Sequence, residues 1–160
     1  MTKNVGFVGV GYMGLGIAKN ILQKGFNLSV IAHKNRTPIE KIVSIGAKEV
    51  FNYDELCKNQ NCLIICVTNT NIAKIIAKKI LNKIDKKTII IDITTHHERG
   101  SIEMEEILSQ KNIKYIECPV MGGPVQAEEG ILGGIVGSSE KNLDEAKLYL
   151  ITFCKNIFHF

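Results

Sequence analysis

Residues 4–20 read NVGFVGVGYMGLGIAKN, with four glycines, Gly9, Gly11, Gly14 and Gly16, inside eight positions. An apolar run precedes them, and a helix-like stripe of Ile17, Ile21 and Leu22 follows. Glycine weakens the interior of a helix or strand by about 0.5–1 kcal/mol relative to alanine. Its accumulation at this corner implies that something approaches the backbone closely. Gly9, Gly11 and Gly14 satisfy G-x-G-x-x-G where an expected strand turns into an expected helix. In that setting Gly9 allows a tight turn, Gly11 lets a diphosphate reach the main chain, and Gly14 lets the helix pack on the strand. The corner spanning Val10, Tyr12 and Met13 offers N–H groups and a partial positive charge to phosphate oxygens. The alternative is a glycine-rich turn with no ligand, and the strand–helix context weighs against it.

Outward from this corner, strand-like runs alternate with helical stripes. Leu28 to Ala32 reads as a second strand, and a short helix follows over Ile39, Ile42 and Val43, with Pro38 near its start and Gly46 at its end. Glu49 to Phe51 fits a short strand. Cys62 to Val67 and Ile89 to Ile91 are unbroken apolar runs, as in strands covered on both faces. Ile72, Ile75, Ile76 and Ile80 mark a helix between them; Ile102, Ile107 and Leu108 mark another, before a strand at Tyr115 to Cys118. After Cys118 the glycines and prolines read as loop and turn, with one strand near Ile131 to Val136. A last helix carries Leu143, Ala146 and Leu150, and the NIFHF end, Asn156 to Phe160, reads as a strand. The repeated β-α order predicts an α/β fold: a Rossmann-type, doubly wound, mainly parallel sheet in three αβα layers. Without internal repeat or linker, residues 1–160 are expected to form one dinucleotide-binding domain.

An enzyme that reads NAD usually has an acid at the end of the second strand, bonding the ribose hydroxyl. Here that stretch is VIAHKNRTP, and no acid occurs between Gly14 and Glu40. His33, Lys34 and Arg36 arrive together instead. Cations attract a 2′-phosphate, and arginine can grip one with two hydrogen bonds. The sequence therefore favours NADP, with NAD possible; an exposed basic loop without ligand is the competing reading.

Bulk properties narrow the class further. The net charge of +4 is carried on scattered basic residues, which suits a small anionic ligand and argues against nucleic acid. No apolar run is long enough to cross a bilayer and no signal peptide is legible, so a cytoplasmic protein without a membrane partner is expected. Cys57, Cys62, Cys66, Cys118 and Cys154 form no Cys-x-x-Cys pair and sit mostly in apolar runs, as buried reduced thiols do.

Several ordered motifs together resemble the cofactor domain of the β-hydroxyacid dehydrogenases, which include 3-hydroxyisobutyrate dehydrogenase, tartronate semialdehyde reductase and glyoxylate reductases. The resemblance covers essentially the whole chain. FVGVGYMGLGIAKNILQKG resembles that family's opening motif. CVTN, Cys66 to Asn69, corresponds to the loop under the nicotinamide ribose, which implies cofactor contacts at Val67, Thr68 and Asn69. DITT, Asp92 to Thr95, resembles an Asp-x-Ser-Thr motif whose last threonine lies near the nicotinamide, here Thr95. CPVMGGPVQAEEGILGGIVG resembles the substrate-binding segment and implies that Met121, Gly122 and Gly123 face a small carboxylate substrate. The resemblance implies hydride exchange between a nicotinamide and a hydroxy acid or semialdehyde, and a full-length protein that forms homo-oligomers.

Two departures qualify this. Met121 stands where the family commonly has serine, so a side-chain hydrogen bond is lost, and the N–H groups of Gly122 and Gly123 are left to hold a carboxylate. This keeps imine reduction and 6-phosphogluconate oxidation open on the same fold. The family's catalytic lysine lies on a helix of a second, helical domain, a position expected beyond Phe160. No lysine here matches it, so these 160 residues alone are expected to turn over negligibly. A stand-alone dinucleotide-binding module that catalyses nothing is the other class of reading.

The remaining candidates read as structural. His96–His97 lacks acids or cysteines at ligand spacing, so no metal is expected, and His97 with Glu98 suits a solvated helix entrance. Cys118 reads as a buried thiol and Asp92 as a helix cap or loop organiser. Glu128 and Glu129 are expected on the solvent side.

Overall fold

β1 (Asn4–Val8) is apolar at successive positions because both of its faces are covered. In the computed structural model, which describes residues 1–160, it is a central strand of a six-stranded parallel sheet. The chain continues through α1 (Tyr12–Gln23), β2 (Asn27–Ile31), α2 (Thr37–Ser44), β3 (Lys48–Val50), α3 (Tyr53–Cys57), β4 (Cys62–Ile65), α4 (Thr70–Ile80), β5 (Ile89–Asp92), α5 (Gly100–Ser109) and β6 (Lys114–Glu117). The spatial order is β3-β2-β1-β4-β5-β6. The winding direction reverses between β1 and β4, which leaves a crevice at the carboxyl ends of these two strands.

Strand side chains alternate between faces, and the two cores follow that alternation. Val5, Phe7, Cys62, Ile64, Ile89 and Ile91 join the core under α1 and α2. Val8, Leu63, Ile65 and Ile90 join the opposite core under α3, α4 and α5. The doubly wound, three-layer α/β architecture expected from the sequence is thus present.

The stretch after β6 differs from its sequence reading. It holds β7 (Val120–Met121), α6 (Pro124–Glu129), β8 (Leu132–Val136), α7 (Glu140–Leu150) and β9 (Cys154–His159), where loop with a single strand before the last helix is expected. β7 pairs antiparallel with β8, and β8 pairs parallel with β9, forming a second, three-stranded sheet. The last strand is therefore longer than the expected Asn156 to Phe160 and shifted: it starts at Cys154 and stops at His159. Phe160 lies just outside it, with its side chain in solvent, although its N–H still donates to the Val136 carbonyl at 3.0 Å. A bridge between Glu117 and Gly137 ties the second sheet to β6, while α7 packs back on β5 and β6. The five cysteines are free thiols; four are buried and Cys66 is half-buried. Burial pushes the Cys57 thiol up to about 11. No helix is long and apolar enough to cross a membrane.

Candidate functional site

The turn after β1 tests the sequence argument atom by atom. Gly9 has φ 98°, and a Cβ there would fall 1.9 Å from the Cys66 carbonyl oxygen. A Cβ on Gly14 would fall 2.1 Å from the Gly9 carbonyl oxygen. Both glycines are required by protein packing alone. Gly11 is different: a Cβ there would meet nothing within 4 Å. The space above Gly11 is therefore open, at the one glycine of the motif assigned to ligand approach. Gly11 also forms the N-cap of α1, without a side-chain cap and without an acid in the first turn. First-turn N–H groups are thus left for an outside acceptor, and no acid of the helix's own first turn competes with an anion. Val10 is buried, Met13 packs on the core and Tyr12 stands out in solvent. The residues present fit a diphosphate.

After the end of β2, His33, Lys34 and Arg36 are all exposed, but Arg36 is not free. Its guanidinium donates to both carboxylate oxygens of Glu49, at 2.8 and 3.0 Å, with Glu40 3.8 Å away. The Glu49 hydrogen bond and charge raise the Arg36 pKa further; the same pair lowers that of Glu49. The absence of acids before Glu40 in the sequence hid this neighbour, because parallel pairing of β2 with β3 delivers Glu49 from the next strand. A cavity of about 640 Å³ runs from Gly11 and Tyr12 to Asn35 and Thr37 and on between α1, α2 and α6. The loops after β4 and β5 lie outside it.

Those two loops are fastened to each other. The Val67 N–H donates to Thr94 Oγ1 at 3.2 Å. Thr68 and Thr95 are both exposed beside this join. Asn69 accepts from the Ile72 N–H through its side-chain oxygen at 3.0 Å, so that oxygen caps α4, whatever contact the amide nitrogen makes. Asp92 is fully buried at the end of β5. It accepts from the Thr94 N–H at 3.0 Å, from the Tyr115 hydroxyl at 3.2 Å, and bonds His96 Nε2 at 2.7 Å. Here Asp92 is a loop organiser, one of the two structural roles its sequence position suggests.

His96 is the residue that sequence reading undervalued. His97 and Glu98 are exposed, as a solvated helix entrance requires, but the His96 side chain is only 1% exposed. Its Nδ1 lies 3.1 Å from Thr70 Oγ1, which in turn accepts from the His97 N–H at 3.1 Å. Burial opposes the imidazolium, yet the hydrogen bond and charge of Asp92, with Glu117 beyond, outweigh it and raise the His96 pKa. The four-residue spacing of Asp92 and His96 across a tight loop was the available signal. Burial, with the Asp92 charge, also holds the Cys66 thiol up at about 12, so it sits at this edge un-ionised.

The glycine segment after β6 requires a correction. Met121 is half exposed and Gly122 adopts φ 124°. The Gly123 N–H, expected to be free for a carboxylate, is taken by Gln126 Oε1 at 2.8 Å. Gln126 is the third residue of α6 and reaches back over the helix start. Of the two amides, only that of Gly122 donates to no protein acceptor. α6 itself is seated on α1: a Cβ on Gly16 would fall 2.6 Å from the Glu128 nitrogen. Glu128 is solvent-exposed, as expected, and pairs with Lys19 at 2.8 Å. The crevice between β1 and β4 is thus lined by an anion-ready turn, a charged corner and two interlocked loops.

The model for the NAD binding domain of 6-phosphogluconate dehydrogenase matches residues 4–160. A probable mitochondrial 3-hydroxyisobutyrate dehydrogenase of Dictyostelium discoideum is 29% identical, covering 99% of this chain and 50% of that protein. A mitochondrial 3-hydroxyisobutyrate dehydrogenase of Drosophila melanogaster is 30% identical, covering 98% of this chain and 48% of that protein. The chain spans about half the length of the curated relatives it matches. Among solved structures, the 3-hydroxyisobutyrate dehydrogenase of Mycobacterium tuberculosis with L-serine superposes with a TM-score of 0.94 at 20% identity, covering 99% of this chain and 54% of that one; the two share a fold.

Proposed function

Because the chain belongs to the family of NAD-binding domains described for 6-phosphogluconate dehydrogenase, we propose that it is the cofactor half of a hydroxy-acid oxidoreductase. The reaction is hydride exchange between a nicotinamide dinucleotide and a small hydroxy acid or semialdehyde. The nicotinamide ring supplies the hydride chemistry when bound; the chain supplies position and charge.

In this reading the N–H groups at the Val10–Gly14 corner hold the diphosphate. His33, Lys34 and Arg36 receive the adenosine ribose and favour the 2′-phosphorylated cofactor over NAD. Val67, Thr68, Asn69 and Thr95 line the nicotinamide end. The Thr94–Val67 hydrogen bond keeps these two loops at one spacing, so they form a preorganised floor. The Gly122 N–H orients a substrate carboxylate, with Met121 supplying an apolar wall and the Gly123 amide committed to Gln126. In this reading the proton donor for the substrate oxygen comes from the part of the relatives' length that this chain does not span.

The observation that carries this reading is the empty space at Gly11 beside an uncapped helix start. Replacing Gly11 by leucine puts a side chain into that space, starting from a Cβ that meets no protein atom within 4 Å. The expected result is loss of dinucleotide binding, read by fluorescence titration with NADPH and NADH, in a variant that still shows a cooperative melting transition. Wild-type affinity for neither dinucleotide, or full affinity in the leucine variant, overturns the reading.

A further inference from the structure

The Arg36–Glu49 pair ties the start of α2 to β3 at a surface corner, and its geometry is well made. Both terminal nitrogens of the fork are engaged, and Glu49 is 15% exposed where Arg36 is 52% exposed. The carboxylate is therefore the anchored member and the guanidinium the reaching one. Arg36 stands between Asn35 and Thr37, which line the cavity that opens at Gly11. Neither Lys34 nor His33 has a hydrogen-bonding or ion-pair partner. Both nearby acids, Glu40 and Glu49, face the Arg36 guanidinium, so its charge is offset while that of Lys34 is not.

We infer that Glu49 sets the dinucleotide preference of this domain by competing with the 2′-phosphate for the Arg36 fork. The inference rests on the dinucleotide-binding reading given above. A phosphate that approaches Arg36 must either displace Glu49 or share the guanidinium with it at close range. The first route loses a bidentate charge-assisted pair, and the second sets two anions side by side. A ribose that bears a 2′-hydroxyl meets neither obstacle, because it brings no charge. Glu49 thus weakens NADPH binding and leaves NADH binding almost untouched. The same domain accepts both cofactors with a small preference for the phosphorylated one, carried by Lys34. Glu49 is a specificity-determining residue that does not touch the ligand itself, and no such role is legible from the VIAHKNRTP stretch alone.

Glu49→Gln removes the charge, keeps the volume and releases the fork. The expected result, from titration of the 160-residue chain with each dinucleotide, is about tenfold tighter NADPH binding, the scale of one charge-assisted hydrogen bond, with NADH unchanged within about twofold. The gain must vanish in the Arg36→Gln/Glu49→Gln double variant, since it runs through the fork. Glu49→Ala, which removes the same carboxylate, must show the same selective gain, which guards against a folding defect peculiar to one variant. Binding of both cofactors by the wild type with no change in their ratio in either variant overturns the inference and leaves the dinucleotide reading standing. Binding of neither cofactor by the wild type sinks the reading itself.

Discussion

His96 Nε2 and Asp92 Oδ2 lie 2.7 Å apart with side-chain exposures of 1% and 0%, so the two residues form a sealed pair four positions apart in the chain. Residues 93–95 are the loop they close. Thr94 is buried within it and Thr95 is left facing solvent. Thr70 receives the other side of the imidazole and the His97 N–H, so the start of α4 is tied to the same loop. The floor proposed for the nicotinamide end is therefore anchored by side chains that never reach its surface.

Removing one member of a buried pair leaves the other without its partner. His96→Ala is expected to cost about 3 kcal/mol in urea unfolding, since Asp92 keeps only the Thr94 N–H and the Tyr115 hydroxyl. His96→Gln, which can still span part of the gap, should lose less. Equal stability of wild type and alanine variant contradicts the anchoring role.

The same pair makes stability depend on pH. The folded His96 pKa is raised above its usual value, against burial, by Asp92 and by Glu117. The imidazolium is thus favoured in the folded state, and its contribution is fully present below the unfolded value of about 6.5. That contribution declines as pH rises through the higher folded value. Melting temperatures taken from about pH 6 to pH 9 should therefore fall more steeply for the wild type than for His96→Gln. Parallel profiles of the two proteins rule this out.

Gly16 carries a prediction about the opposite side of the glycine turn. A Cβ at this position meets the backbone of Ala127 and Glu128 at 2.6–2.9 Å, and backbone cannot step aside as a side-chain tip can. Gly16→Ala is expected to cost about 1–3 kcal/mol as an overpacked contact. Gly11→Ala, with nothing within 4 Å of the added Cβ, should cost less, only what alanine loses to glycine at a helix N-cap. A pair of denaturation curves distinguishes two glycines that look alike in the motif.

What the sequence reveals and what it hides follows from the range of the interactions. The strand and helix stripes of the first 117 residues are local, so the β-α alternation that builds the main sheet is legible in them. The packing roles of Gly9 and Gly14 could be read because that motif fixes its own geometry. α6 and α3 were legible in principle. Pro124 stands at the first helical position with Gly130 in the left-handed region after the last. Asn52 caps α3 by accepting from the Glu55 N–H, and the Glu55 side chain reaches back to the Phe51 N–H. These short helices were passed over because their hydrophobic stripes are only a turn long. The end of β9 is misread by one residue because Phe158 and Phe160 alternate as strand residues do, while the ladder to β8 runs out at His159. The Glu49–Arg36 pair is another matter. It exists because β3 lies beside β2 in parallel register, and no local pattern encodes which acid that register delivers. The Gly123–Gln126 contact falls between these cases, since the three-residue spacing is visible but the helix that gives it meaning was not.

Asn20 supplies the last test, because it fastens α6 under the glycine segment. Its Nδ2 lies 2.9 Å from the Gly16 carbonyl oxygen, 2.8 Å from that of Ala127 and 3.0 Å from that of Glu128. One buried amide thus shares its two hydrogens among three carbonyls, two of them at the end of α6; Ala127 also accepts from the Gly130 N–H at 3.2 Å, whereas the Glu128 carbonyl takes no backbone donor. Asn20→Ala should cost about 1–3 kcal/mol, chiefly through the Glu128 carbonyl it leaves without a donor. Asn20→Asp should cost more than Asn20→Ala, because it turns an acceptor-only carboxylate towards the same three oxygens. Hydrogen exchange should report faster opening at 124–130 in both variants, before any change in the β1–β4–β5 core. If aspartate is tolerated as well as alanine, Asn20 fills space at this junction and the hydrogen bonds do not hold it.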